Sequence, residues 1–175
     1  MDKNAKHIVL TGLSGAGKST VGSRLAERLE FDFCDLDLAI SERAEMSIPE
    51  IFAQHGESLF RSMERELMLT LLASDKLTVI ATGAGALVDV TNRSRALKAA
   101  CVVWLQVSPE QAAQRLMEHD DRPLLAHTDV KGRLEEMLTS RRSAYAESHI
   151  VVDTDNKSWD DVVGYLASKC QGASV

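Results

Sequence analysis

Apolar residues along the chain alternate between two patterns. Short unbroken runs at 9–11, 33–36, 78–82, 102–107 and 150–152 are rich in Val, Ile and Leu, as expected of strands buried on both faces. Between them, apolar positions recur at three- and four-residue spacing over 56–72, 108–118, 130–148 and 158–170, the period of amphipathic helices. Ser108-Pro109-Glu110 reads as an N-cap followed by proline at the first helical position, and residues 155–158 supply caps for the last helix. Strand alternating with helix predicts an α/β sandwich on a parallel sheet. Ligands of such sheets gather at the carboxyl ends of the strands. No internal repeat, low-complexity tract or linker interrupts the pattern.

The connection after the first strand carries the strongest chemical signal. Gly12-Leu-Ser-Gly-Ala-Gly-Lys-Ser19, followed by Thr20, fits G-x-x-x-x-G-K-[ST] at every position. Ile8-Val9-Leu10 leads into it as a strand, and Val21, Leu25, Ala26 and Leu29 follow at helical spacing. Gly12, Gly15 and Gly17 permit backbone angles that turn successive N–H groups toward one point. The helix start adds partial positive charge there. Lys18 supplies a full charge for terminal phosphates, and Ser19 a hydroxyl oxygen for Mg²⁺.

Further polar residues fall at the predicted ligand edge. Asp35-Leu-Asp37 closes the second strand; a spacing of two puts both carboxylates on one face if the strand continues that far. Near a triphosphate, one acid can hold Mg²⁺ through water and the other can orient an attacking hydroxyl. The alternative is a turn or a helix N-cap before 38–43. Gly56 opens a long helix with Phe60, Met63, Leu67 and Leu71 on one face. Arg61 lies off that face and reads, on its own, as a surface arginine. Gly83-Ala84-Gly85 ends the third strand, as a plain turn or as a close approach for a small molecule. Residues 119–127 break the helical pattern around Pro123 and read as a mobile surface loop. Arg122 on that loop, with Arg115 on the helix before it, can close over phosphates or remain solvated charge. Arg141-Arg142-Ser-Ala-Tyr145 precedes the last strand, and Asp153-Thr-Asp-Asn-Lys157 follows it.

Bulk properties narrow the class. The 175 residues suit one domain with a real core. A net charge of −6 argues against a nucleic-acid partner. Cys34, Cys101 and Cys170 are widely spaced and read as buried thiols of a reducing compartment. The first seven residues carry no apolar signal core, and no apolar run is long enough for a bilayer. A cytoplasmic protein with no membrane partner is expected.

Taken together and in this order, the motifs resemble shikimate kinase over nearly the whole chain. The matching pieces are Gly12 to Thr20, Asp35-Leu-Asp37, Ile48-Pro-Glu-Ile-Phe52, the G-E-x-x-F-R-x-x-E string from Gly56 to Glu64, Thr82 to Gly85, Arg122-Pro-Leu-Leu125, Arg141 to Tyr145, and Val152-Asp-Thr154. The resemblance implies a three-layer α/β sandwich with a five-stranded parallel sheet, of the P-loop NTPase, nucleoside-monophosphate-kinase-like kind. It implies one kinase domain over 1–175, an acceptor-binding region at about 37–64, a lid at about 119–130, and a monomer. The implied reaction is ATP- and Mg²⁺-dependent phosphorylation of the shikimate 3-hydroxyl. By the same resemblance, Gly15, Ala16, Gly17, Lys18, Ser19 and Thr20 hold the nucleotide phosphates, with Arg115, Arg122 and Lys157 at the nucleotide as well. Ser19 and Asp35 serve the metal. Asp37, Arg61, Arg141 and the Gly83-Ala84-Gly85 backbone bind the acceptor. Lys18, Asp35, Asp37 and Arg122 are the implied catalytic set.

Three positions depart from the family pattern. Ala84 stands where the family usually has glycine, Ser41 where it usually has glutamate, and Glu45 where it has glycine. All three fall in or near the expected acceptor half, which keeps open a kinase for a related cyclitol or sugar acid such as gluconate. A non-catalytic shikimate- or nucleotide-binding module is the reading from another class, although Lys18, Ser19, Asp35 and Arg122 retain the phosphate machinery.

Overall fold

The structure, a computed structural model, describes residues 7–118 and 129–171. Five strands form one sheet in the order β2-β3-β1-β4-β5, every neighbouring pair parallel. They are β1 (His7–Thr11), β2 (Asp32–Asp35), β3 (Thr78–Ala81), β4 (Ala100–Gln106) and β5 (Ile150–Asp153). The three inner strands are buried almost throughout, which explains their unbroken apolar runs. Helices α1 (Lys18–Leu29), α4 (Val90–Ala99), α5 (Pro109–Glu118), α6 (Val130–Ala146) and α7 (Trp159–Gln171) complete the layers around the sheet. Ser108 Oγ accepts from the Gln111 amide and Ser158 Oγ from the Asp161 amide, so both predicted caps form. The 90–99 helix, capped by Asp89, was not evident from periodicity.

The core has three parts. The largest lies around β1, β4, α1 and α7, with Leu10, Leu25, Leu105, Tyr145 and Leu166 at its centre. A second joins Val9, Ile80 and Met68 across the sheet. A third, small one is made by Ile40, Ile51 and Phe60. It belongs to α2 (Leu36–Ala44) and α3 (Ile48–Leu72), a helical pair beside the strand ends. Ser47 and Glu50 form a capping box at the start of α3. Gly56, with φ of 79°, breaks the helical path inside α3. The helix predicted to open at Gly56 is therefore the second limb of a kinked one. Leu67 packs against both smaller clusters and ties the pair to the sheet.

The second strand ends earlier than the spacing of its acids suggested. Asp35 is the last strand residue, and its Oδ1 accepts from the Asp37 and Leu38 amides as the N-cap of α2. Capping satisfies two helix-end donors that further strand would leave unpaired. Asp37 thus sits in the first turn of a helix, not on a shared strand face.

Among the described residues, no helix is long and apolar enough to cross a membrane, and all three cysteines are free thiols.

Candidate active site

A cleft of about 230 Å³ opens at the carboxyl ends of β1, β2 and β3. Its floor is the glycine-rich loop between β1 and α1. Gly17 is the left-handed N-cap of α1, with φ of 86° and no side-chain cap. The first-turn amides of α1 thus carry no side-chain partner at that cap, which suits an anion at the helix start. Lys18 Nζ donates to the Gly12 and Leu13 carbonyls at 3.0 and 2.8 Å, which curls the side chain back over the loop. Ser19 Oγ donates to Asp35 Oδ2 at 2.5 Å. A hydroxyl and a carboxylate oxygen so close beside a phosphate cradle are the hard donors that Mg²⁺ takes, with water filling its remaining positions. Asp37 and Thr82 line the same cleft, so the helix cap, the alternative to a continued strand, also brings the two acids together.

The far wall is organised by residues 83–85. A Cβ on Gly83 would lie 2.7 Å from Asp37 Oδ1 and 3.0 Å from Glu64 Oε1. On Gly85 it would lie 2.6 Å from Arg61 Nη2. The two glycines let the chain press against an acid and a guanidinium at once. Arg61 is no solvated surface group. Its Nη1 donates to buried Glu64 at 2.8 Å, and Nε and Nη2 donate to Glu57, each at 3.2 Å. Burial disfavours its charge, but the two carboxylates outweigh that and raise its pKa. Burial raises the Glu64 pKa, against the pull of Arg61. Arg141, on α6, lies beside the Tyr145 hydroxyl, which donates to the Ala84 carbonyl at 2.5 Å. Asp37, Arg61 and Arg141 are thereby gathered around one three-residue loop next to the phosphate cradle.

The family model for shikimate kinase matches residues 14–171. A shikimate kinase of Geobacter metallireducens is 40% identical over 169 residues, covering 97% of this chain and 94% of its own. One of Geobacter sulfurreducens is 42% identical over 165 residues, covering 94% and 91%. The chain belongs to the shikimate kinase family. The solved structure of a shikimate kinase from Acinetobacter baumannii in complex with shikimate superposes with a TM-score of 0.89 at 32% identity, covering 99% of this chain and 97% of its own.

Within that family fold, the nucleotide side holds one surprise. Arg115 on α5 reaches the cleft as expected, with Nη2 donating to the Thr154 carbonyl at 2.6 Å and Nη1 to Thr154 Oγ1 and the Gly15 carbonyl. Its guanidinium stacks over the Trp159 ring at 4.6 Å. Burial lowers the Arg115 pKa, opposed by Asp155 and Asp153. Trp159 lines the cleft at the start of α7. Lys157 is exposed and faces a separate groove with Val151, Asp161 and Tyr165. Nothing in the local spacing marked Trp159, since an aromatic at a helix start usually reads as core. Glu64 did leave a signal: it falls four residues after Phe60 on the apolar face of α3, and a charged residue there is informative. Arg122 lies outside the described residues, as does nearly all of the expected lid.

The departures from the family pattern separate cleanly. Glu45 is the left-handed C-cap of α2, with φ of 53°, a conformation glycine adopts most easily. Ser41 Oγ donates to the Met46 carbonyl at 2.6 Å and closes the same turn. Neither lines the cleft. Ala84 does, but at a negative φ that suits any residue.

Proposed function

We propose that this protein transfers the γ-phosphoryl group of ATP to the 3-hydroxyl of shikimate. The observation that carries the reading is the convergence of Asp37, the Arg61–Glu64 pair and Arg141 on residues 83–85, beside the cradle that holds Lys18 and Ser19. Phosphoryl transfer needs positioning and charge neutralisation more than covalent help from the protein. Mg²⁺, when bound, would supply positive charge against the terminal phosphates. Ser19 and Asp35 would hold it; Lys18 and the amides of residues 15–20 would hold the phosphates. Arg115 and Trp159 would flank the nucleoside. Arg61 and Arg141 offer guanidinium forks to a carboxylate. Asp37 would accept a hydrogen bond from the attacking hydroxyl and take its proton. On this reading acceptor binding would draw on 37–64, with 83–85 as the opposite wall and Arg141 beside it.

Gluconate and other open-chain sugar acids are less well served. Of the three departures that left that alternative open, Ser41 and Glu45 are turn residues outside the cleft, and Ala84 alone lines it. The three free thiols support a cytoplasmic location.

Shikimate-dependent ADP release with Mg²⁺ is the expected result in a coupled assay across shikimate, quinate and gluconate. Clear preference for another acid would overturn the named acceptor. Gly85→Ala, which drives a methyl into Arg61, is expected to raise the shikimate KM about 10- to 100-fold with little change in the ATP KM. Ala84→Gly is expected to leave both nearly unchanged, measured by the same steady-state assay.

A further inference from the structure

Tyr145 is wholly buried, yet its polar end serves the site rather than the core. Its ring packs against Trp104 of β4 with centroids 5.7 Å apart and planes tilted by 41°, which fixes the direction of the hydroxyl. That hydroxyl donates to the Ala84 carbonyl, 61 residues away in the chain. Ala84 is the residue between the two glycines that press on Asp37 and Arg61. One turn earlier on α6, Arg141 lies beside the same hydroxyl and favours its ionised form, while burial, the larger effect, raises the Tyr145 pKa. A phenylalanine would fill the same core space. The hydroxyl therefore adds a strut between α6, which carries one guanidinium, and the loop that seats the other.

We propose that Tyr145 is a positioning residue for the acceptor, its hydroxyl setting the spacing between Arg141 and the 83–85 loop. This rests on the reading of the site as the shikimate pocket. Without the strut, the Ala84 carbonyl loses a buried partner and the loop settles elsewhere. The two arginines then no longer match one carboxylate, because fork geometry tolerates little displacement. The phosphate cradle keeps its own hydrogen bonds, none of them to residues 83–85 or to Tyr145, so nucleotide binding is left alone.

The test is Tyr145→Phe in the full-length enzyme, with shikimate and ATP varied in turn and shikimate binding also titrated directly. The shikimate KM and dissociation constant are expected to rise together by about tenfold, as for a lost buried hydrogen bond. The ATP KM is expected to stay within about twofold, which a general loosening of the core would not allow. A shikimate KM unchanged within that range overturns the inference, and so does an equal rise in both KM values. The wild-type arm separates the two readings: if wild type fails to phosphorylate shikimate, the function assignment falls; if only the variant behaves like wild type, the Tyr145 inference falls alone.

Discussion

Asp37→Asn is expected to lower turnover by about 10²- to 10⁴-fold, the usual contribution of a positioned general base, while ATP affinity stays within about twofold of wild type. The substitution keeps the shape of the side chain and removes its charge and its capacity to take a proton. It does not disturb the start of α2, because the cap is made by Asp35. The lost acidic residue in the first turn costs only about 0.3–1 kcal/mol through the helix dipole. The carboxylate lies against Gly83, on the proposed acceptor wall, whereas the proposed nucleotide site is made by Lys18, Ser19 and Arg115. Turnover at saturating substrates, together with an ATP titration, checks the split. Loss of ATP binding would place Asp37 in the nucleotide half, and unchanged turnover would remove it from the chemistry.

The same residue shows where the sequence could be read and where it could not. A phosphate-binding loop between a strand and a helix is a local object. Gly12 to Ser19 therefore carried its position, chemistry and flanking elements in one string. The acidic pair was also visible, but its geometry was not: a spacing of two serves a strand face and a helix cap equally well. Only the competition for helix-end amides, won by Asp35, decided between them. Arg61 was ambiguous for a different reason. Nothing within a few residues says that a helix face will meet a loop some twenty residues later, so Gly85 and Arg61 had to be brought together by the fold. Trp159 is the far extreme, reaching Arg115 and the glycine-rich loop from the other end of the chain. The family motifs put Arg61 and Gly85 in one expected pocket where periodicity could not, but they left Trp159 unmarked. The order in which the strands lie, β2-β3-β1-β4-β5, followed from packing rather than from any pattern in the chain.

Lys18→Met is expected to lower turnover by about 10³-fold or more, because in the proposed reaction the lysine is the point charge that would meet the transferring phosphate. Methionine retains most of the apolar stem, so the loss is chiefly the ammonium group. Two side-chain hydrogen bonds to the Gly12 and Leu13 carbonyls go with it. These orient the loop but do not build it, since Gly17, the α1 start and the buried strand β1 remain. The variant should keep its far-ultraviolet circular dichroism and its shikimate affinity, yet bind ATP more weakly as well as turn over slowly. That pairing is the reverse of the one expected for Asp37→Asn. Lys18→Arg should not rescue it: a planar fork cannot repeat the contacts of a compact ammonium curled onto two carbonyls. A Lys18→Met enzyme that kept near wild-type turnover at saturating ATP would mean that the positive charge for the reaction comes from elsewhere, and the cradle would be a binding site only.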